Sequence, residues 1–250
     1  MNKIYKYDEN FYLNEDNQAK KSAEIIIPFL VKNLSVDSAL DIGCGTGSWL
    51  SIWSKLGVKN FIGVDFMKPS SNLRIPFKNY IQCDLSNEDI PIENKFDFAQ
   101  CLECLEHVPK ERAEQIVNKL CCLSNKILFS AATPGQGGEN HINEQPLEYW
   151  RMIFKKNNFI PFDPVRTNFK NQKSISFWYR NNIILYVNSD NTSELSKEFI
   201  ETFIPDDILI PNYEGNIRKF RNRIIAFLPL KVVNLLAKIK TILLNLNSNR

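Results

Sequence analysis

Short runs of apolar residues alternate along the chain with longer stretches in which apolar positions recur every three or four residues. The short runs at 38–42, 60–65, 79–83, 96–101, 126–131, 159–162 and 183–187 predict strands. The periodic stretches at 17–34, 48–56, 109–123 and 146–157 predict helices. Ile25, Ile26, Phe29 and Leu30 share one face of the first helix, which Pro28 should kink or split. Leu50, Trp53 and Leu56 line one face of the second, and a proline occupies the first turn of the third, a position that tolerates it. Strands alternating with helices predict an α/β fold with a doubly wound, mostly parallel sheet. Beyond residue 190 the pattern changes. Residues 217–246 mix basic side chains with Ile224, Ile225, Phe227, Leu228, Leu235, Leu236, Ile239, Ile242 and Leu243, and Pro229 divides them into two helical halves. The expected organisation is a helical cap over 1–37, a core over 38–190 and an extension with basic amphipathic helices over 191–250.

The segment Asp41-Ile42-Gly43-Cys44-Gly45-Thr46-Gly47 joins the first strand of this pattern to the second helix. A glycine-rich turn lets the backbone pass close to a ligand, and free N–H groups at the helix start face that ligand. The glycine spacing is not that of a dinucleotide fingerprint, because Ser48 stands after Gly47 and no third glycine follows at the required place. No Lys-Ser/Thr pair follows either, which excludes a phosphate-binding P-loop. Asp41 would repel a pyrophosphate and suits a ligand with a cationic amine. Asp65 ends the second strand, 18 residues after Gly47, where a carboxylate can accept hydrogen bonds from both hydroxyls of a ribose. Asp84 follows the third strand, in reach of an adenine amine.

This combination, Asp-x-Gly-x-Gly-x-Gly, then Asp65, then Cys83-Asp84-Leu85, resembles the class I S-adenosylmethionine-dependent methyltransferases over roughly residues 18–190. The resemblance implies a seven-stranded sheet with the last strand antiparallel and S-adenosylmethionine as cofactor. It implies that Asp41 and the glycines Gly43, Gly45 and Gly47 approach the methionine moiety, that Asp65 takes the ribose, and that Asp84 with Leu85 borders the adenine, with Cys44, Thr46 and Phe66 among the cofactor contacts. Cys101 and Leu102, at the end of the fourth strand, complete the expected cofactor set. In this family a leading helix packs over the cofactor, which makes Gln18 and Ser22 contact candidates.

The chain has only two histidines, and each follows a strand end. His107 lies in Glu103-Cys104-Leu105-Glu106-His107-Val108-Pro109, and His141 in the polar loop after the fifth strand. Ligands of open α/β sheets sit beyond the carboxyl ends of the strands, so both histidines fall where a methyl acceptor belongs. Methyl transfer asks the protein to align the acceptor and remove its proton, and an ordinary imidazole titrates close to neutrality. His141 or His107 is the expected base, with Glu106 or Glu144 orienting it. The competing readings are that His107 caps the helix behind it or bonds a backbone carbonyl, and that His141 orders its loop. The two histidines with Glu106 or Glu144 also have the ligand types of a divalent-metal site, but the spacing is not specific and no metal is assigned.

Glu-Cys-Leu-Glu-His resembles the E-x-x-E-H motif found after the fourth strand of small-molecule methyltransferases. Residues 133–150, with Phe177-Trp178-Tyr179-Arg180-Asn181-Asn182, are similar to a subgroup associated with bacterial surface-polysaccharide synthesis. That similarity implies His141, Asn143, Glu144, Trp178 and Tyr179 at the acceptor pocket, although Trp178 suits an ordinary core equally well. It implies O-methylation of a sugar or nucleotide-linked precursor of a capsule or lipopolysaccharide. An amine or a phosphate-type oxygen is the alternative acceptor, and a non-catalytic binding module is the alternative class.

Composition narrows the reading little further. The 250 residues are 44% hydrophobic, enough for one α/β core with additions. The six cysteines fall in strands and beside the turn, as reduced thiols do, and not as a disulfide framework. The polar, charged start predicts no signal peptide, and no run reaches the ~18 apolar residues of a spanning helix. A cytoplasmic protein is expected. Net charge is +3, yet residues 215–250 hold eight basic residues and no acid, leaving 23 basic and 28 acidic groups in residues 1–214. A mildly acidic body gives no reason to propose nucleic acid as a partner. The basic tail can contact either an anionic membrane at its inner face or a protein surface, with protein docking the commoner case.

Overall fold

The computed structural model describes residues 9–248. Residues 1–8 of the expected cap and Arg250 of the basic set lie outside the described residues, as do the side chains of Lys240 and Leu243.

Seven strands form one sheet in the order β3-β2-β1-β4-β5-β7-β6. They are β1 (Ser38–Ile42), β2 (Asn60–Asp65), β3 (Tyr80–Gln82), β4 (Phe98–Leu102), β5 (Lys126–Ser130), β6 (Phe159–Phe162) and β7 (Ile184–Asn188). Only β7 runs antiparallel to its neighbours β5 and β6. β4 and β5 are buried along their whole length, as strands covered on both faces must be.

Two apolar cores result. On one face, α1 (Glu9–Asn33) and α2 (Ser48–Lys55) pack with α5 (Pro164–Phe169) and α6 (Phe177–Asn182), around Ile26, Leu30, Trp53 and Phe98. On the other, α3 (Lys110–Leu123) and α4 (Leu147–Lys156) pack around Ile116, Leu120, Phe129 and Trp150. The chain leaves β1 towards β2 on one side and returns in β4 on the other, so the β1/β4 boundary is the switch point where a ligand crevice opens.

Several elements differ from the sequence pattern, each for a local reason. α1 continues through Pro28 because Pro28 and Glu24, whose carbonyl loses its partner there, both face water. β4 begins at Phe98 and not at 96, because Asp97 turns its carboxylate to the amides of Asp37 and Ser38 (3.0 and 2.9 Å) and the amide of Phe96 bonds Leu123. The aromatic stretch at 177–180 is the start of α6, and α5 forms from a segment to which the pattern assigned nothing.

After β7, α7 (Lys197–Ile200) leads into a segment strapped down by two buried arginines. Arg151 donates to the carbonyls of Ile204 and Ile208 (2.8 and 2.7 Å). Arg166 forms a two-pronged pair with Asp163 (2.9 and 2.8 Å) and donates to the carbonyls of Asn181 and Pro211. The strap delivers the chain to α8 (Asn216–Ala226) and α9 (Leu230–Ser248), with Pro229 between them. No helix among the described residues is long and apolar enough to cross a membrane.

Candidate active site

A cavity of about 1800 Å³ opens over the carboxyl ends of β1, β2 and β4. That exceeds the roughly 300–1,000 Å³ of a pocket for one small ligand, and leaves room for a donor and an acceptor.

The cofactor end is built on the glycine turn. Gly43, Gly45 and Gly47 all have positive φ (78°, 55° and 84°), which non-glycine residues rarely adopt. The amides of Gly43 and Cys44 bond the carbonyl of Val64 (2.8 and 3.1 Å) and lock the turn to β2. Asp65 accepts the amides of Gly45 (2.8 Å) and Met67 (3.0 Å), so one carboxylate couples the two loops. Burial raises the Asp65 carboxyl, against the pull of those amides.

Asp41 is buried, and its Oδ2 has no hydrogen-bond partner among the described residues. Burial pushes its carboxyl up to about 7, with the Gln100 amide opposing and the charge of Asp65 adding to the rise. A buried carboxylate with one oxygen unsatisfied at the base of a glycine turn fits a cationic amine and not a phosphate.

Asp16, near the start of α1, was not anticipated from the sequence. It accepts the hydroxyls of Thr46 and Ser48 and pairs with Arg74 (Nε at 2.7 Å), tying α1 to the turn. Burial opposes its charge, but the Arg74 guanidinium and the two hydroxyls hold its carboxyl below the usual range.

The acceptor end lies between the loops after β4 and β5. The amides of Ile142 and Asn143 both bond the Glu106 carbonyl at 2.9 Å and draw the loops together. His107 and His141 then stand edge to face with ring centroids 4.8 Å apart. Nδ1 of His141 meets Glu144 Oε1 at 2.9 Å, while Glu144 also accepts the amides of Gly135 and Gly137. Nδ1 of His107 meets the Asn140 carbonyl at 3.2 Å. Burial lowers the His107 imidazole to about 3, with the nearby His141 adding to the fall. Burial thus disfavours the charged ring that a base working near neutrality must form. Of the competing readings of His107, the structure shows the bond to a backbone carbonyl.

Glu103 sits in the left-handed region (φ 50°), a strain that is common at ligand sites. Its carboxylate is held by Asn182 and Gln136 (3.1 and 3.0 Å). Glu106 is buried with Oε2 unpartnered among the described residues; burial pushes its carboxyl well up, and the neighbouring Glu103 carboxyl adds to this.

Most of the anticipated residues reach the cavity wall. Asp41, Gly43, Cys44, Gly45, Thr46, Asp65, Phe66, Asp84, Leu85, Leu102 and Gln18 do so at the cofactor end. Glu106, His107, His141, Trp178 and Tyr179 do so towards the acceptor end. Gly47, Ser22, Cys101, Asn143 and Glu144 stand behind the wall. Gly47 caps α2, and a Cβ there would sit 2.8 Å from Ile75. Ser22 accepts the amide of Ser176 and donates to the Gln18 carbonyl. Cys101 is buried in β4, and Asn143 donates to the Leu105 carbonyl at 3.1 Å. These residues position the wall and do not form it.

The far wall comes from the tail, which no local sequence signal places there. Arg218, Arg221, Ile225, Val233 and Leu236 line the cavity. α8 lies so close to the β5 loop that a Cβ on Gly135 would fall 1.9 Å from the Asn222 carbonyl oxygen. Arg221 donates to the Gln136 carbonyl (3.0 Å), and Asn234 accepts the Asn140 amide (2.9 Å). The Arg218 guanidinium stacks 3.3 Å over the Phe177 ring.

Comparison with known proteins agrees with this geometry. The family model of the methyltransferase domain matches residues 14–171, more than half of the chain. The chain belongs to that family and is a class I S-adenosylmethionine-dependent methyltransferase. S-adenosylmethionine is its cofactor. No curated protein matches it. Among solved structures it is similar to magnesium protoporphyrin IX methyltransferase from Synechocystis PCC 6803 with bound S-adenosylhomocysteine, at 19% identity and a TM-score of 0.51, over 74% of this chain and 90% of that one. It also resembles the 1,6-didemethyltoxoflavin-N1-methyltransferase of Burkholderia thailandensis, at 18% identity and a TM-score of 0.47, over 70% and 79% of the two chains. At 19% identity the first likeness is one of fold.

Proposed function

We propose that the chain transfers the methyl group to a hydroxyl of a small polar acceptor, a sugar or nucleotide-linked precursor of a bacterial surface glycan. The observation that carries this reading is the pairing of two features across one cavity. The His141–Glu144 couple offers an oriented base at one side, and Arg218 and Arg221 offer cationic groups for an acceptor phosphate at the other.

At the cofactor end, Asp41 takes the ammonium of the methionine moiety, Asp65 the ribose hydroxyls, and Asp84, Leu85 and Phe66 the adenine side. The bound donor supplies a methyl group on a sulfonium leaving group. The protein aligns the acceptor oxygen with it and moves one proton. Nε2 of His141 accepts the hydroxyl proton, and Glu144 holds Nδ1–H and stabilises the charged ring. Trp178 and Phe177 flank the acceptor as apolar walls.

The test is a panel of nucleotide-linked sugars and their free sugars, read by S-adenosylhomocysteine release. Nucleotide-linked hydroxyl acceptors should react, with KM raised at least about ten-fold in Arg221→Ala, as loss of a charged contact requires. Turnover of amine acceptors, with none of their hydroxyl counterparts, overturns the assignment in favour of N-methylation. Methyl esters on the phosphate would do the same in favour of phosphate oxygen.

We further propose that the outer side of the tail rests on an anionic membrane surface. Ile217 and Phe227 are each 89% exposed and Phe220 is 66% exposed, interleaved with Arg223, Lys231 and Lys238 and with no acid. A lipid-linked precursor would then meet the cavity mouth. Wild-type protein should sediment with phosphatidylglycerol vesicles and not with phosphatidylcholine ones. The Ile217→Asp, Phe227→Asp variant should lose that binding while keeping its cofactor affinity. Equal sedimentation of both proteins sinks the idea, and concentration-dependent dimers abolished by the same variant would assign the face to a second copy.

A further inference from the structure

Glu106, His107 and His141 each offer a ligand atom, and these atoms lie within 4.8 Å of one another at the acceptor end of the cavity. Two loops converge to make this cluster, held by the paired bonds from Ile142 and Asn143 to the Glu106 carbonyl. We propose that the cluster binds a divalent transition-metal ion, through one carboxylate oxygen of Glu106 and Nε2 of each histidine.

Three observations support the site independently. The first is the outer arrangement of the rings. His107 Nδ1 is engaged by the Asn140 carbonyl and His141 Nδ1 by Glu144, which sets the tautomer in which Nε2 presents the lone pair. Metal-ligating histidines are held in this way, their second nitrogen donating to a carbonyl or carboxylate. The second is Glu106 Oε2, a buried oxygen with no hydrogen-bond partner among the described residues. An unsatisfied buried acceptor is destabilising, and a cation would satisfy it. The third is the glycine beneath the ring. A Cβ on Gly138 would lie 2.2 Å from His141 Nε2, so only glycine lets the imidazole occupy this place.

The donor set selects the ion. Two imidazoles and one carboxylate suit Mn²⁺, Fe²⁺, Co²⁺ or Zn²⁺, and are poor for Ca²⁺ or Mg²⁺, which prefer oxygen ligands. Three protein ligands leave coordination positions on the cavity side. With an ion held there, Nε2 of His141 would be a ligand and take no proton; the ion would bind the acceptor oxygen, fix its place against the methyl donor and ease the loss of its proton to water. That positioning role rests on the oxygen-acceptor reading; the binding site does not.

The test uses untagged full-length protein stripped with a chelator and titrated with Mn²⁺, free ion being followed by electron paramagnetic resonance without acceptor. One ion per chain should bind. Glu106→Gln and His107→Gln should weaken binding at least about ten-fold. Gly138→Ala, which removes no donor atom but crowds the His141 ring, should weaken it too. S-adenosylhomocysteine binding by each variant shows that it is folded. If stripped wild-type protein binds no more Mn²⁺ or Zn²⁺ than Glu106→Gln does, the site is overturned. If the chelated enzyme then retains a rate that His141→Ala abolishes, the cation site fails and the proton-transfer role of His141 stands. Ion binding that the variants lose, beside turnover confined to amines, keeps the site and fails the acceptor assignment.

Discussion

Gly43→Ala is expected to lower the affinity for S-adenosylhomocysteine by more than about 100-fold, a loss of roughly 3 kcal/mol or more. Two effects combine at this position. Its φ of 78° is costly for any residue with a Cβ. The new Cβ would also fall 2.4 Å from Cys104 Sγ and 2.6 Å from Cys104 Cβ, so the turn and the β4 loop must part. Gly45 separates the two effects. Its φ of 55° is also positive, but nothing among the described residues lies within 4 Å of a new Cβ. Gly45→Ala therefore carries only the backbone cost of about 1–2 kcal/mol and should stay within about 30-fold of wild type. Calorimetric titration, with thermal melting to show that each variant folds, decides between them. Equal losses in both would remove the crowding argument.

The same titration should depend on pH through Asp41. Its carboxyl is pushed up to about 7, so below that value it is protonated and cannot pair with the cofactor ammonium. Affinity should rise as pH increases through about 7, and Asp41→Asn should flatten the profile. Without ligand the sign reverses. Folded protein keeps a proton that unfolded chain releases near pH 4, so this carboxyl makes stability fall between about 4 and 7.

His141→Ala is expected to lower kcat about 10²–10⁴-fold, the usual scale of a positioned base, with cofactor affinity unchanged. The Nδ1 contact of 2.9 Å to Glu144 predicts a smaller effect for Glu144→Gln, about ten-fold, together with a displaced acidic limb of the kcat/KM profile. A merely structural Glu144 would lower the melting temperature and leave that limb in place. Full activity in His141→Ala withdraws the base assignment.

The cofactor end was legible in the sequence because its chemistry is local. Asp41 and the three glycines follow one strand, and Asp65 and Asp84 follow the next two, so strand–turn–helix periodicity was enough to place them. Even there, Asp16 escaped notice. One acid in a polar stretch has no periodic signature, and its partners Thr46, Ser48 and Arg74 meet it only when α1 folds across the turn. Asn143 and Glu144 were named as acceptor contacts but stand behind the wall, since residue type does not report which way a loop side chain turns.

By itself, then, the sequence determined the alternation of strands and helices, the site of the glycine turn and the acids that line the cavity beside it. These follow from short-range sterics and from hydrophobic period. The tertiary structure alone decided the acceptor end. Pairing β4 with β5 brings His107 against His141, and the buried arginine strap carries α8 over Gly135 to close the cavity with Arg218 and Arg221. Contacts between segments so far apart along the chain arise from strand order and packing, which no local pattern encodes.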